Sequence, residues 1–256
     1  LRTGSTGNSY CITDKSGQSL IIEAGIPLKY VIGNSSDIVG FIYSHEHRDH
    51  AAYKEEYKKA FAFYDIKPNY EINLIGNYNI LGFPVLHNVD NKGFIISNNI
   101  ERKVLFFATD LIYNSMTKVF YEGLFYAMQN INIDLFCVES NYNEYEFKQA
   151  IKGDSDVFGV ENHLSNYECA RFISHLCNRN MVQNILLIHG SNRIGRSISG
   201  KKKPILNLIP KANILIARLV TARQYPRVKI SDKPSKQFAL KLFRLVNTNF
   251  VCKGIS

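Results

Sequence analysis

The stretch whose reading decides the fold is His45-Glu46-His47-Arg48-Asp49-His50. The chain has seven histidines, and three of them stand inside this one run. On an extended segment, side chains at i and i+2 share a face, so His45 and His47 can grip a single ion. Asp49 and His50 follow where the strand gives way to a helix, and they can reach a second ion alongside. Neutral imidazoles and carboxylates are the donors that borderline divalent metals such as zinc prefer. Val39-Gly40-Phe41-Ile42-Tyr43, short and apolar, leads directly into the run, which therefore reads as a metal motif delivered by a buried strand.

Other strands end on donors in the same way. A hydrolytic two-metal site needs a carboxylate shared between the ions and more imidazoles to complete each shell. His87 ends Gly82-Phe83-Pro84-Val85-Leu86, Asp110 follows the apolar run 104–109, and His189 closes 184–188. Each taken singly reads as a polar strand end; their common placement makes them one candidate ligand set. Further strands are expected over 10–13 and 19–22 around Asp14-Lys15-Ser16-Gly17, within 70–86, and over 93–97 and 103–108. Others are expected over 135–138, 182–188, 212–217 and 228–230. Helical composition or periodicity marks 51–61 and 166–178. Strands arrive in runs separated by helices rather than in strict βαβ alternation. That predicts an α/β fold of the αββα kind, with two packed mixed β-sheets flanked by helices.

A chain of 256 residues can bury one substantial core. We expect a single domain over 1–256, with its core at about 1–230 and a basic, amphipathic extension over 231–256. The longest apolar runs, such as Ile185-Leu186-Leu187-Ile188, are far too short to span a bilayer. No basic–apolar–small leader pattern opens the chain at Leu1, so a cytoplasmic location is expected. The chain starts without Met, so a few residues of a first strand are expected to be missing. Five cysteines, an odd number without a CxxC pair, point to reduced thiols that act as small buried hydrophobes. The formal charge of +9 favours an anionic partner. Arg193, Arg196, Lys201, Lys202 and Lys203 follow His189 closely, as a phosphate-binding cluster or as a solvated loop.

The order HxHxDH, His, Asp, His resembles the metallo-β-lactamase superfamily. The resemblance is closest to its subgroup with tRNA 3′-processing endonucleases of the RNase Z type and related phosphodiesterases, and it covers about 1–230. It implies two divalent metal ions, zinc first and manganese as the other candidate. His45, His47 and His87 would hold one ion; Asp49, His50 and His189 would hold the other; Asp110 would bridge. Gly4-Ser5-Thr6-Gly7-Asn8-Ser9, Glu139-Ser140-Asn141-Tyr142 and His163-Leu164-Ser165-Asn166 look like the YycJ/WalJ-type branch. The phage anti-Pycsar proteins, which degrade cyclic nucleotides, share this organisation. The Lys-, Asn- and Tyr-rich composition fits such an origin, with the host cytoplasm as location. Two departures stand out. Glu23 takes the place of the family's usual Asp, where it can support the metal loop with a longer arm. Ala51-Ala52-Tyr53 replaces a usual Gly. Residues 51–86 also leave little room for the long arm with which many tRNA-processing members clamp their substrate.

For chemistry, Asp49 can orient the nucleophile as well as bind metal, and His163 is the candidate general acid for the leaving alkoxide. The competing reading of His163 is a loop residue ahead of a helix that Ser165 or Asn166 begins. His175, inside that helix, reads as structural or surface. Ser140 and Asn141 support the ligands or make a turn, and Ser191, Asn192 and Arg193 can touch a phosphate. The leading functional expectation is a binuclear phosphodiesterase for cyclic nucleotides. The alternative is an RNase Z-like or WalJ-like nuclease on RNA or DNA. A metal-free nucleic-acid-binding relative is disfavoured by the complete ligand set, and β-lactam hydrolysis by Asp110 at a bridging position. The resemblance implies a homodimer; the aromatic stretch 120–126 is either its interface or core.

Overall fold

The computed structural model describes residues 3–4, 6–32, 37–151, 159–177, 184–190 and 198–217. Period-two alternation builds its smaller sheet. In β2 (Gln18–Ile22) and β3 (Asp37–Ile42), Leu20, Ile22 and Ile42 face one way while Ile21 and Phe41 face the other. β2 pairs antiparallel with β1 (Tyr10–Thr13) and parallel with β3, giving three strands in the order β1-β2-β3. The larger sheet begins as an antiparallel meander of β4 (Ile72–Ile75), β5 (Tyr78–Val85), β6 (Asn91–Asn98) and β7 (Lys103–Ala108). It continues in parallel through β8 (Leu135–Glu139), β9 (Asn184–Ile188) and β10 (Asn213–Ile216), seven strands among the described residues.

Three apolar layers hold the sheets and helices together. Between the sheets, Leu20, Ile22 and Ile42 meet Ile80, Phe94, Ile96 and Phe107. Behind the small sheet, Tyr57 of α2 (Lys54–Ala60) covers Ile21 and Phe41. Behind the large sheet, α3 (Glu122–Met128), α5 (Asn166–Leu176) and α6 (Ile198–Leu208) cover Phe83, Phe106 and Phe136 with Leu124, Phe172 and Ile205. The expected sandwich of two mixed sheets between helices is what forms. Each buried aromatic or aliphatic side chain contributes about 1.5–3 kcal/mol to that packing. Ser165 caps α5 with a reciprocal box, accepting from the Glu168 amide at 3.1 Å while Glu168 accepts from its own amide at 3.0 Å.

Several details depart from expectation. The helix expected over 51–61 is two, α1 (Arg48–Ala51) and α2, broken at Ala52-Tyr53. The break has a cause: the His50 carbonyl accepts from the Ala24 amide, and the Tyr53 amide donates to the Ala24 carbonyl. Those groups are tied to the loop after β2 and do not serve a continuous helix. α3, α4 (Glu144–Ile151) and α6 were not anticipated. Lys201 to Lys203 lie in α6, so they are no loop, and Lys201 is only 5% exposed. Its ammonium donates to the Ser140 carbonyl, and burial pulls its pKa down to about 8. The stretch 120–126 divides: Tyr121, Leu124 and Phe125 join the core while Phe120 and Tyr126 stay exposed. Cys137 and Cys169 are buried, Cys11 and Cys177 partly so, and all four are free thiols. Among the described residues no helix is long and apolar enough to cross a membrane. Ser191, Asn192, Arg193, Arg196, the strand expected over 228–230, the extension from Ser231 and Cys252 lie outside the described residues.

One topological fact positions the site. β5 and β7 both run antiparallel to β6, and β8 and β9 run parallel to β7. Their C-terminal ends therefore lie along a single edge of the large sheet, the edge where open α/β sheets gather functional groups.

Candidate metal centre

The loops leaving these strand ends bring all the expected residues together. His87 follows β5, Asp110 follows β7, His189 follows β9, and the run from His45 follows β3. Glu139 is the last residue of β8. Sharp turns are needed to aim side chains inward from strand ends. Glu23, Asp110 and His189 take them with φ of 72°, 53° and 49°, a left-handed conformation that costs a non-glycine residue of order 1–3 kcal/mol. The glycine at position 25 lets two loops touch: a Cβ there would stand 1.8 Å from the Asp49 carbonyl oxygen and 2.7 Å from the Asn8 nitrogen.

Donor atoms fall into overlapping groups, each spanning at most 4.8 Å: His45, His47 and His87; His45, His50 and Asp110; Asp49, His50 and His189; and Asp110, Glu139, His163 and His189. His47 Nδ1 lies 3.4 Å from His87 Nε2. His50 Nε2 lies 2.9 Å from Asp110 Oδ2 and 3.3 Å from Asp49 Oδ2, and His189 Nε2 lies 3.0 Å from Asp49 Oδ2. Asp110 stands between the groups, its other oxygen 3.3 Å from His163 Nδ1. Glu23, on the far side of His50, puts Oε1 3.4 Å from His50 Nδ1 and accepts from the Ser44 amide at 3.2 Å.

Charge divides the site into two unlike halves. Burial, and then the neighbouring His50 ring, pulls His45 down to about 2, and burial lowers His87 as well. These rings are neutral at physiological pH. Burial also opposes charge on His50 and His189, but carboxylates win there. Asp110 and Glu23 raise His50 well above its ordinary value, and Asp110, Asp49 and Glu139 raise His189 to about 10. The same pairing, against burial, holds Asp110 and Asp49 well below the usual carboxylate range. The donor set suits a divalent cation. His45 Nε2 is buried without a hydrogen-bond partner among the described residues, while Ser44 engages its Nδ1 at 2.9 Å. A buried imidazole nitrogen of this kind beside carboxylates fits the chemistry of a cation ligand.

Glu139 has a role that the sequence reading did not assign. It is 0% exposed, and Oε1 accepts from the Leu111 and Leu164 amides at 2.8 and 3.0 Å. Oε2 lies 3.1 Å from His163 Nδ1 and 3.5 Å from His189 Nδ1, so one carboxylate oxygen orients two imidazoles. Burial opposes its charge, yet His163 holds it at about 2; in return, against burial, Glu139 and Asp110 raise His163. Asn141 lies beside His189, donating to its carbonyl at 3.0 Å, and Ser140 donates to Asn166 at 2.7 Å. His175 is structural: Nδ1 meets the Arg171 carbonyl at 2.7 Å, and its ring stacks on Phe125.

No family model and no curated protein matches this sequence. Solved structures do match in shape. YhfI from Bacillus subtilis, a metallo-β-lactamase fold protein, superposes with a TM-score of 0.60 at 16% identity, over 85% of this chain and 93% of its own. Unliganded yeast PDE1 gives 0.58 at 10% identity, over 86% and 96%. CmlA, a diiron β-hydroxylase from Streptomyces venezuelae, gives 0.52 at 12%, over 82% of this chain and 52% of its own. Identities this low speak for architecture and nothing finer, and the architecture is that of the metallo-β-lactamase fold.

Proposed function

We propose that this protein is a binuclear metal-dependent phosphodiesterase, with His45, His47, His87, Asp49, His50, His189 and Asp110 as its ligands and zinc or manganese as its metal. Bound there, two cations supply Lewis-acid neutralisation of the phosphoryl oxygens and a water of lowered pKa. Asp49 is the most open of these carboxylates, its side chain 21% exposed against 3% for Asp110 and 0% for Glu23 and Glu139, and would be the one to orient an attacking water. His163 carries the proton, and it is the observation on which the reading turns. An alkoxide leaves slowly unless protonated. His163 has Nδ1 fixed on Glu139 and Asp110 and its side chain 20% exposed, against 4% for His189, which leaves Nε2 to meet the leaving oxygen.

The finer reading is a cyclic nucleotide as substrate, in the manner of the phage anti-Pycsar proteins. What supports it is the short stretch between His50 and His87: residues 51–86 are taken up by α2, β4, β5 and their connections, which leaves little room there for an RNA-clamping arm. A nuclease acting on RNA or DNA is the second reading, favoured by the charge of +9. A homodimer belongs to the proposal, with exposed Met116, Val119, Phe120 and Tyr126 as apolar surface for a second copy. The deciding experiment offers metal-replete protein cyclic mononucleotides, single- and double-stranded oligonucleotides and a β-lactam, with His50→Ala as control. We expect turnover of cyclic mononucleotides with little dependence on salt. Cleavage of oligonucleotides alone, with binding that weakens steeply as salt rises, overturns the cyclic-nucleotide reading.

The unlike halves predict an order of filling. His45 and His87 are neutral and accept a cation without losing a proton, whereas His50 and His189 hold protons that must leave first. As pH falls below about 10, where His189 takes up its proton, the Asp49–His50–His189 group loses cation affinity before the His45–His47–His87 group does. Calorimetry in buffers of different ionisation enthalpy reads the released protons. Equal pH dependence of both binding steps contradicts the prediction.

A further inference from the structure

A chain of buried hydroxyl and amide groups links two corners of the site through the N-terminal segment. Thr3 is 4% exposed and Asn8 0%. The His189 amide donates to Thr3 Oγ1 at 2.7 Å. Thr3 Oγ1 lies 2.8 Å from the Tyr10 hydroxyl, which donates to Asn8 Oδ1 at 3.2 Å. The Gly4 amide also donates to Asn8 Oδ1, at 2.8 Å, which settles that atom as the acceptor. Asn8 Nδ2 in turn lies 3.2 Å from Asp49 Oδ2, 3.2 Å from the Asp49 carbonyl and 3.1 Å from His50 Nε2.

Proton counting gives this chain one direction. A phenol and an alcohol have one proton each. Tyr10 gives its proton to Asn8, which can only accept at Oδ1, so Thr3 must give its own to Tyr10. Thr3 then has a lone pair for the His189 amide. The sequence of donation runs from the His189 backbone through Thr3, Tyr10 and Asn8 to the Asp49 carboxylate, and no member can be turned round without leaving a buried donor unpaired. The Tyr10 ring is held for this by an edge-on contact with Phe107, centroids 5.3 Å apart. His189 sits in a left-handed turn, so its backbone needs an anchor, and this amide bond is one.

The geometry points to Thr3, Tyr10 and Asn8 as positioning residues that fix the separation of His189 and Asp49, and so set the affinity of the Asp49–His50–His189 group for a divalent cation. This rests on the metal reading above. Tyr10→Phe removes the central hydroxyl and keeps the ring, and Thr3→Val removes the first hydroxyl at nearly constant shape. Each is expected to weaken cation binding at that group about 10- to 100-fold, the usual size for groups that orient ligands, and to leave the His45–His47–His87 group unchanged. Because one chain is broken in both, the double variant should lose no more than the worse single variant, within about twofold. Thr3→Ser, which keeps the hydroxyl, should restore affinity.

The measurement is cobalt(II) titration of the full chain, read by calorimetry and by visible absorption, with circular dichroism to establish folding. Wild-type protein that takes up no cation overturns the metal reading and this one with it. Wild type that takes up two, with Tyr10→Phe unchanged, overturns this one alone. So do multiplying losses in the double variant, or a Thr3→Ser protein as weak as Thr3→Val.

Discussion

Asp110→Asn is expected to fold, to lose at least one of its two cations, and to lose phosphodiesterase activity by at least about a thousandfold. The magnitude follows from the several kcal/mol of charge stabilisation that a correctly held cation supplies, at about 1.4 kcal/mol for each factor of ten. The choice of asparagine isolates the effect. Position 110 has a φ of 53°, which asparagine tolerates better than most residues. The main chain keeps its anchor, because Asn91 donates to the Asp110 carbonyl at 2.7 Å. What changes is charge. Asp110 Oδ2 faces His50 and accepts from Thr109 at 2.8 Å, while Oδ1 faces His163. An amide there loses half of its acceptor capacity and turns an NH₂ toward imidazoles that need a carboxylate. Metal content by mass spectrometry and turnover of a cyclic mononucleotide check this together. A variant with full metal content and near-native rate removes Asp110 from the shared position. A variant with full metal content and a depressed rate moves its role from holding the ions to steering the proton on His163.

Much of this centre is legible in the sequence, for a physical reason. Ligands have to sit on backbone that is fixed, and strand ends are the stiffest places from which a side chain can still enter a cavity. The rule found His87, Asp110 and His189 one by one, and the same rule identifies Glu139, which closes β8 as the others close their strands. Glu139 is not legible as a ligand, because it acts on imidazoles of the site. A residue that aims His163 and His189 and ties down the Leu111 and Leu164 amides has no spacing of its own. Thr3 is hidden more deeply, and Asn8, although it stands in the motif Gly4–Ser9, has no partner legible in the sequence. Their partners, His189 and Asp49, are far away along the chain: the loops of Asn8 and Asp49 meet at Gly25, and Thr3 meets the loop after β9. α6 escaped notice because a run of three lysines followed by Pro204 carries no apolar period, so helix and loop look alike there. The division of the helix after His50 was illegible for the converse reason. Composition favours a continuous helix, and a tertiary bond from Tyr53 to Ala24 overrides it.

Glu139→Gln should separate holding the metal from moving the proton. Oε1 of glutamine can still accept from the Leu111 and Leu164 amides, so the main-chain anchors at 2.8 and 3.0 Å survive. The atom that replaces Oε2 is an NH₂ group, and it faces Nδ1 of both His163 and His189. A donor there needs a lone pair at Nδ1, which forces the ring proton onto Nε2. His189 then presents a proton to the site where it should present a lone pair, and its affinity for a cation falls about 10- to 100-fold. His163 is affected differently. Apart from burial, which opposes it, Glu139 is the largest influence keeping its pKa up. Without that charge the ring gives up its proton at lower pH, so the protonated fraction available to the leaving oxygen declines sooner as pH rises. The alkaline limb of the kcat profile should move toward acid, and saturating metal should recover the affinity loss without moving that limb back. Poor leaving groups suffer more than an activated aryl ester, since only they need the proton. An alkaline limb that stays in place while activity falls would show that Glu139 acts on His189 alone, and that the proton comes from somewhere other than His163.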